Sequence, residues 1–476
     1  VTGSLVSTIR ELVAEDLAAV DPSELTGEDR REFARQQIFA HLDMLAADPV
    51  RPWPLPADAA DEQRLAQSIL NALFGMGPLQ SLVDDTGIEN IDINGCDRVW
   101  ATFADGSKRM MPPVADSDEE LIELVRSAAS RFGLSERRFD LARPELDLRL
   151  PDGSRLSALM AVTARPAVSI RRHRFTDLSL GELTRLGSLD EQLASLLAAA
   201  VRARKNIVVS GAMNSGKTTM LRALAAEIPP RERLVTIEQS FELGLDAAVD
   251  RHPDMVALEA RPANVEGAGA IPVADLVRRA LRMNADRVIV GEVLGDEVLP
   301  MLNAMSQGRS GSMCTIHADS SAGVFRRIAS YAVQAPERLP LEASNLLIAG
   351  AVHFVVHLDS EMHDTADHAG WDTADPAPGG WDAAGPAGWD AAGQAGWDAA
   401  GQAPGEFPAR TSRRRFVSSV REVVDAEGVQ VISNEVFRPG PDRRAVASAP
   451  LRPDTLSELM RFGYRPPVGE YSGAFG

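Results

Sequence analysis

The stretch "GAMNSGKT", residues 211–218, constrains the fold of this chain more than any other. It matches G-x-x-x-x-G-K-[ST] and lies between an apolar run, Ile207 to Ser210, and a helical pattern starting near Lys217. Such a loop works by turning backbone N–H groups and a helix dipole onto a phosphate, so it must join the end of a strand to the start of a helix. Gly211 and Gly216 let the backbone close, and Asn214, Ser215 and Thr219 complete the cradle. Lys217 is placed to bridge the β- and γ-phosphates, and Thr218 to hold Mg²⁺ through its hydroxyl. The cofactors expected are therefore ATP and Mg²⁺. Lysine occurs elsewhere only at 108 and 205, which makes a chance match at 217 improbable. A glycine turn opening a helix is the plain structural alternative.

The segments around the loop alternate strand and helix: "NIVVSG", "KTTMLRALAAEI", "RLVTIEQS", "ADLVRRALRMN", "DRVIVGE", "EVLPMLNAMSQG" and "SMCTIHA". That order predicts an α/β domain over 195–360, with a mainly parallel sheet and helices on both faces. Ligands of such sheets sit at the carboxyl ends of strands, where four acidic or basic residues fall at or just after strand ends. Glu292 ends "DRVIVGE", placed to polarise a water or order a Mg²⁺-bound one. Glu238 and Glu242 follow "RLVTI", and His317 ends "SMCTIH". If these strands are neighbours, Glu238, Glu292 and His317 converge on the γ-phosphate. A solvated carboxylate or a structural histidine at a strand end has the same signature.

The chain has 476 residues, enough for two or three folded units. Residues 1–80 show helical periodicity and read as helices packed around the following domain, and 81–175 read as a smaller α+β domain. Within it are arginines at 149, 155, 165, 171 and 172, with Arg174 just beyond the last strand. Arg155 and Arg171 fall on separate strands, where two guanidiniums are suited to clamping a γ-phosphate from outside the loop. Residues 176–194 read as a polar connector. Residues 361–410 repeat a Trp-Asp-Ala-Ala-Gly unit, with tryptophans at 371, 381, 389 and 397, and no such unit buries much apolar surface. Residues 411–476 read as a hairpin and a polar tail.

A formal charge of -19 argues against a protein that coats nucleic acid, so no direct nucleic-acid contact is expected. The two cysteines, Cys96 and Cys314, lack disulfide or metal-site patterning, which points to a reducing compartment, the cytoplasm. No targeting signal opens the chain, and the apolar run at 346–358 is too short to span a bilayer, so any membrane association is expected to go through a partner.

Taken in order, "LPDGSRLSALM", "AVSIRR", "GAMNSGKTT", "RLVTIEQSFEL", "ADLVRRALRMNADRVIVGEV" and "MLNAMSQGRSGSMCTIHADS" resemble the type II/type IV secretion ATPase superfamily, most closely its tight-adherence (Tad/Flp) pilus branch. The resemblance covers roughly 60–360. It implies an N-terminal domain joined to a RecA-like P-loop motor, a homo-hexamer with ATP at its interfaces, and an inner-membrane platform protein as partner. It also implies that Lys217 and Thr218 are Walker A residues, Glu292 the Walker B glutamate, Glu238 and Glu242 part of the Asp box, and His317 the His box. Arg155 and Arg171 match arginines that reach the γ-phosphate from the N-terminal domain. Three positions depart from the family pattern: Gln239 stands where an Asp is usual, Leu294 where an Arg is usual, and Arg309 where a His is usual.

Overall fold

The computed structural model describes residues 2–20, 25, 27–47, 55–103, 107–133, 138–172, 178–261, 263, 267–306, 310–364, 406–407 and 411–466. The repeat tryptophans, Arg174 and Arg309 lie outside these. The chain divides into two compact units, 1–172 with 365–410, and 173–364 with 411–476.

The first unit begins with three helices, α1 (Thr2–Ala19), α2 (Gly27–Ala46) and α3 (Ala59–Phe74). Their apolar stripes meet one another, and Ile9, Val13, Ile38 and Ile69 form a core of their own. Asp58 caps α3 by accepting from the Asp61 N–H. A short helix, α4 (Leu79–Asp84), leads into β1 (Ile88–Asn94), β2 (Val99–Phe103) and β3 (Lys108–Met111). Next come α5 (Asp118–Phe132), capped by Ser117, and β4 (Glu145–Arg149), β5 (Arg155–Leu159) and β6 (Ala167–Arg171). The strands pair antiparallel in the order β3-β2-β1-β6-β5-β4, and the alternating burial of β4 and β5 marks one covered face.

In the second unit the connector expected to be plainly polar contains α6 (Leu180–Arg185). Ser179 and Glu182 form a reciprocal capping box there, and Leu180 and Leu183 are buried. The capping signature was present in "SLGE"; two apolar residues are enough once a cap satisfies the helix start. After α7 (Glu191–Arg202) come β7 (Ile207–Gly211), α8 (Lys217–Ala225), β8 (Leu234–Glu238), β9 (Met255–Glu259), α9 (Val273–Ala280), β10 (Arg287–Val293), α10 (Val298–Ser306) and β11 (Met313–His317). Helices α11 (Gly323–Gln334) and α12 (Leu341–Ala351) precede β12 (Phe354–Asp364). Two residues that belong to the first unit, Glu406–Phe407 (β13), pair with its β3. Then β14 (Thr411–Glu427), β15 (Gln430–Pro439), β16 (Ala445–Ala447) and α13 (Pro453–Arg461) close the second unit.

Nine strands run in the order β16-β15-β14-β12-β7-β11-β10-β8-β9. From β12 to β9 every pairing is parallel, and β14 to β16 extend the sheet antiparallel. Strand β7 is buried at all five positions, as a parallel strand covered on both faces must be. This is the α/β architecture with a parallel sheet that the strand-helix alternation predicts. Strands β14 and β15 pair antiparallel as a hairpin. The tail beyond it is not simply polar: α13 buries Leu456 and Leu459 in the core that covers β7.

Candidate functional site

Strand order decides what can converge. β7, β11, β10 and β8 are consecutive, so Gly211, His317, Glu292 and Glu238 come to one edge of the sheet, and His317 is in register with Gly211. The loop after β7 enters α8 through two left-handed residues, Asn214 at φ 61° and Gly216 at φ 95°. Gly216 is the helix N-cap and offers no side-chain oxygen, so the first N–H groups of α8 keep their capacity for an external acceptor. Gly211 has no room for a side chain: a Cβ there would stand 2.4 Å from Ser215 Oγ and 2.6 Å from the Leu358 carbonyl oxygen. The Ser215 hydroxyl is buried and has no hydrogen-bond partner among the described residues. An uncapped helix start, a glycine cradle and an orphaned hydroxyl together fit a phosphate-bearing ligand.

Lys217 is 7% exposed and reaches back across the loop to donate to the Ala212 carbonyl at 3.1 Å. Its Nζ also lies 3.2 Å from His317 Nδ1 and 4.0 Å from Glu292 Oε1. Burial pulls the ammonium below the usual lysine range, and Glu292 and Glu242 oppose that shift. The opposite nitrogen of His317, Nε2, lies 2.8 Å from Glu292 Oε1. Because the ammonium only donates, Nδ1 accepts and the ring proton is assigned to Nε2, which donates to Glu292.

Glu292 is aimed by an irregularity in its strand. The β10–β11 register shifts between Val290 and Val293, and Thr315 Oγ1 donates to the Gly291 carbonyl at 2.7 Å. Gly291 is required by close approach, since a Cβ would come 2.9 Å from Glu238 Cγ.

Glu238 is placed differently. Its side chain is buried, and Oε2 accepts from the backbone N–H groups of Glu242 and Leu243, each at 2.7 Å. That carboxylate oxygen shapes the loop after β8. Glu242 is half-buried, and its carbonyl accepts from Arg222 of α8. Thr218 and Thr219 are half-buried in the first turn of α8. Among the described residues no group of three or more His, Cys, Asp or Glu gathers to hold a metal. A Mg²⁺ ion here would depend on the Thr218 hydroxyl, water and phosphate oxygens, the usual habit of that ion.

One residue near the loop was not legible in the sequence: Arg415 of β14 donates from Nε to the Asn214 carbonyl at 2.9 Å. In the first unit, Arg155 and Arg171 are direct cross-strand partners on β5 and β6, and Arg149 of β4 is opposite Arg155. Asp147 lies 3.5 Å from Arg155.

Residues 73–394 match the family model described as "Type II/IV secretion system protein". The chain is 35% identical to a putative conjugal transfer protein of Mycobacterium tuberculosis, covering 60% of this chain and 80% of that one. It is 30% identical to the type IV secretion system protein VirB11 of Brucella suis, over 61% of this chain and 86% of that one. The crystal structure of that VirB11 ATPase in complex with sulphate superposes with a TM-score of 0.31 and 29% identity, covering 59% of this chain and 90% of that one. By the family match, which spans the antiparallel sheet of the first unit and the parallel sheet with its phosphate loop, this chain belongs to the type II/IV secretion system protein family.

Proposed function

We propose that this protein is a Mg²⁺-dependent ATPase that powers pilus assembly or secretion, working as a homo-hexamer on an inner-membrane platform protein at the cytoplasmic face of the membrane. The observation that carries this reading is the Lys217–His317–Glu292 cluster at the mouth of the phosphate loop. Membership of a secretion family directs the work of the nucleotide toward that machinery. Among the described residues no helix is long and apolar enough to cross a membrane. The quoted motifs favour the Tad/Flp pilus branch, and the charge of -19 argues against direct contact with nucleic acid.

Bound ATP supplies the phosphoryl group for transfer to water, with Mg²⁺ balancing its charge. Lys217 and the N–H groups of the loop hold the phosphates, and Thr218 offers the metal its hydroxyl. Glu292 orients the attacking water and takes its proton, and His317 holds that carboxylate through Nε2. Arg155 and Arg171, side by side in the first unit, supply positive charge to the transferring group. The energy then moves the first unit against the second.

Steady-state hydrolysis with Mg²⁺, run on wild type, Lys217→Ala and Glu292→Gln with particle size followed by light scattering, tests the proposal. Turnover that disappears in both variants, from a hexamer-sized particle, is expected. A wild type that binds ATP through Lys217 but does not turn over would replace it with a second reading, a nucleotide-binding assembly subunit. Gln239 and Leu294, both exposed beside the cluster strands, are what favour that alternative.

A further inference from the structure

A phosphate loop that turns its N–H groups inward turns carbonyls outward, where water or a protein donor satisfies them. Two cations supply donors here. Lys217 Nζ donates to Ala212 O, and Arg415 Nε donates to Asn214 O. The arginine also lies against the next turn of the loop, since a Cβ added to Gly216 would stand 3.2 Å from Arg415 Cδ. Arg415 therefore covers both left-handed residues, Asn214 and Gly216, on the outer side of the loop.

The two cations cannot play the same part. Lys217 shares its ammonium between Ala212 O and His317, and phosphate chemistry draws that ammonium to the ligand. Arg415 is held from outside. Its strand pairs with β12, which places Arg415 opposite Ser360, and the next residue, Phe416, is fully buried. Asn214 adopts the left-handed conformation, which asparagine tolerates better than most L residues, and the bond from Arg415 to its carbonyl adds to what holds the turn.

We propose that Arg415 is a positioning residue of the nucleotide site: it ties the Asn214 carbonyl to the outside of the loop, keeps the loop N–H groups turned toward the phosphates, and places a fixed positive charge behind them. This rests on the reading of residues 211–218 as the nucleotide site.

The test is the affinity of the full chain for ADP carrying a fluorescent ribose label, measured on wild type, Lys217→Ala, Arg415→Gln and Arg415→Lys, beside the melting temperature of each nucleotide-free protein. Arg415→Gln is expected to weaken ADP about ten-fold, the size of one charge-assisted hydrogen bond. Its melting temperature should stay within about 2 °C of wild type. Arg415→Lys, which keeps the charge and a donor, should recover most of the loss. Wild-type affinity in Arg415→Gln, with binding lost in Lys217→Ala, overturns the role of Arg415 and leaves the nucleotide site standing. Failure of Arg415→Lys to recover any affinity, or a fall in affinity accompanied by a collapsed melting temperature, also overturns it. A wild type that does not bind ADP overturns both readings.

Discussion

His317 Nε2 lies 2.8 Å from Glu292 Oε1, so the histidine on β11 fixes the carboxylate on β10 while its other nitrogen faces Lys217. The water-orienting role proposed for Glu292 requires a carboxylate that does not swing among rotamers, and one hydrogen bond from a neighbouring strand restricts that freedom. His317→Ala is expected to lower kcat about a hundred-fold, the lower end of what positioned proton transfer contributes. ADP affinity should change little, because the loop and Lys217 remain. Single-turnover hydrolysis beside ADP titration separates the two effects. An unchanged kcat would remove His317 from the chemistry.

Gly211 presents a second, purely steric test. Its φ of 154° is strained for a side chain, and the space is filled by Ser215 Oγ and the Leu358 carbonyl. Because Leu358 belongs to β12, an added methyl group must push the loop away from a central strand pair that is buried at every paired position. Gly211→Ala is expected to cost roughly 2–4 kcal/mol, as overpacking combined with backbone strain does, and to weaken nucleotide binding as well. Urea unfolding monitored by circular dichroism reads the first effect. A cost below about 0.5 kcal/mol, the scale of an ordinary surface change, would mean the loop relaxes freely.

The strand-helix alternation made the parallel sheet legible, because fully buried strands read as apolar runs and the phosphate loop marks one strand end unambiguously. It also brought Glu292 and His317 to strand termini, and the adjacency of β11, β10 and β8 does the rest. Glu238 shows what a strand position cannot decide. It ends β8 while Glu292 stands one residue before the end of β10, and Gly291 leaves room for the Glu238 side chain to run beside β10 and cap the loop at 242–243. Arg415 was invisible for a different reason: it is 201 residues from Asn214 and beyond the repeat, so only the pairing of β14 with β12 brings it to the loop. Helix α13 escaped notice because few of its residues are apolar, although Leu456 and Leu459 recur at helical spacing.

At the opposite end of the sheet, Arg287 is fully buried at the start of β10 and makes a bidentate pair with Glu232, at 2.8 and 3.0 Å. Its Nη1 also donates to the Val201 carbonyl at 2.7 Å. Removing the glutamate would leave a guanidinium out of water with its main counter-charge gone. Glu232→Ala is expected to destabilise the protein by about 3–5 kcal/mol. Arg287→Met, which removes the charge itself and keeps much of the side-chain volume, should cost less. Guanidinium unfolding of the two variants checks the order, and a reversed order would show that the Val201 contact outweighs the ion pair.

His353 sets a pH dependence on the second unit. Its Nδ1 accepts from the Asn206 N–H at 3.0 Å, an arrangement only the neutral ring can make. Burial pushes its pKa down to about 4, assisted by Lys205 and Arg452 and opposed by Glu458. In the unfolded chain the ring titrates near its ordinary value of about 6.5, so as pH falls below that value the unfolded state takes up a proton that the folded state refuses. The contribution of His353 is thus complete above about pH 6.5 and is lost as pH falls toward 4, reaching roughly 2–4 kcal/mol. Replacing His353 with Asn removes the titration, so the variant should be less stable than wild type at pH 7 and lose less stability on acidification. Urea unfolding at pH 7.0 and about 4.5 measures the difference of slopes, which is insensitive to carboxylates common to both proteins. Parallel losses in the two proteins would assign the acid sensitivity of this unit to groups other than His353.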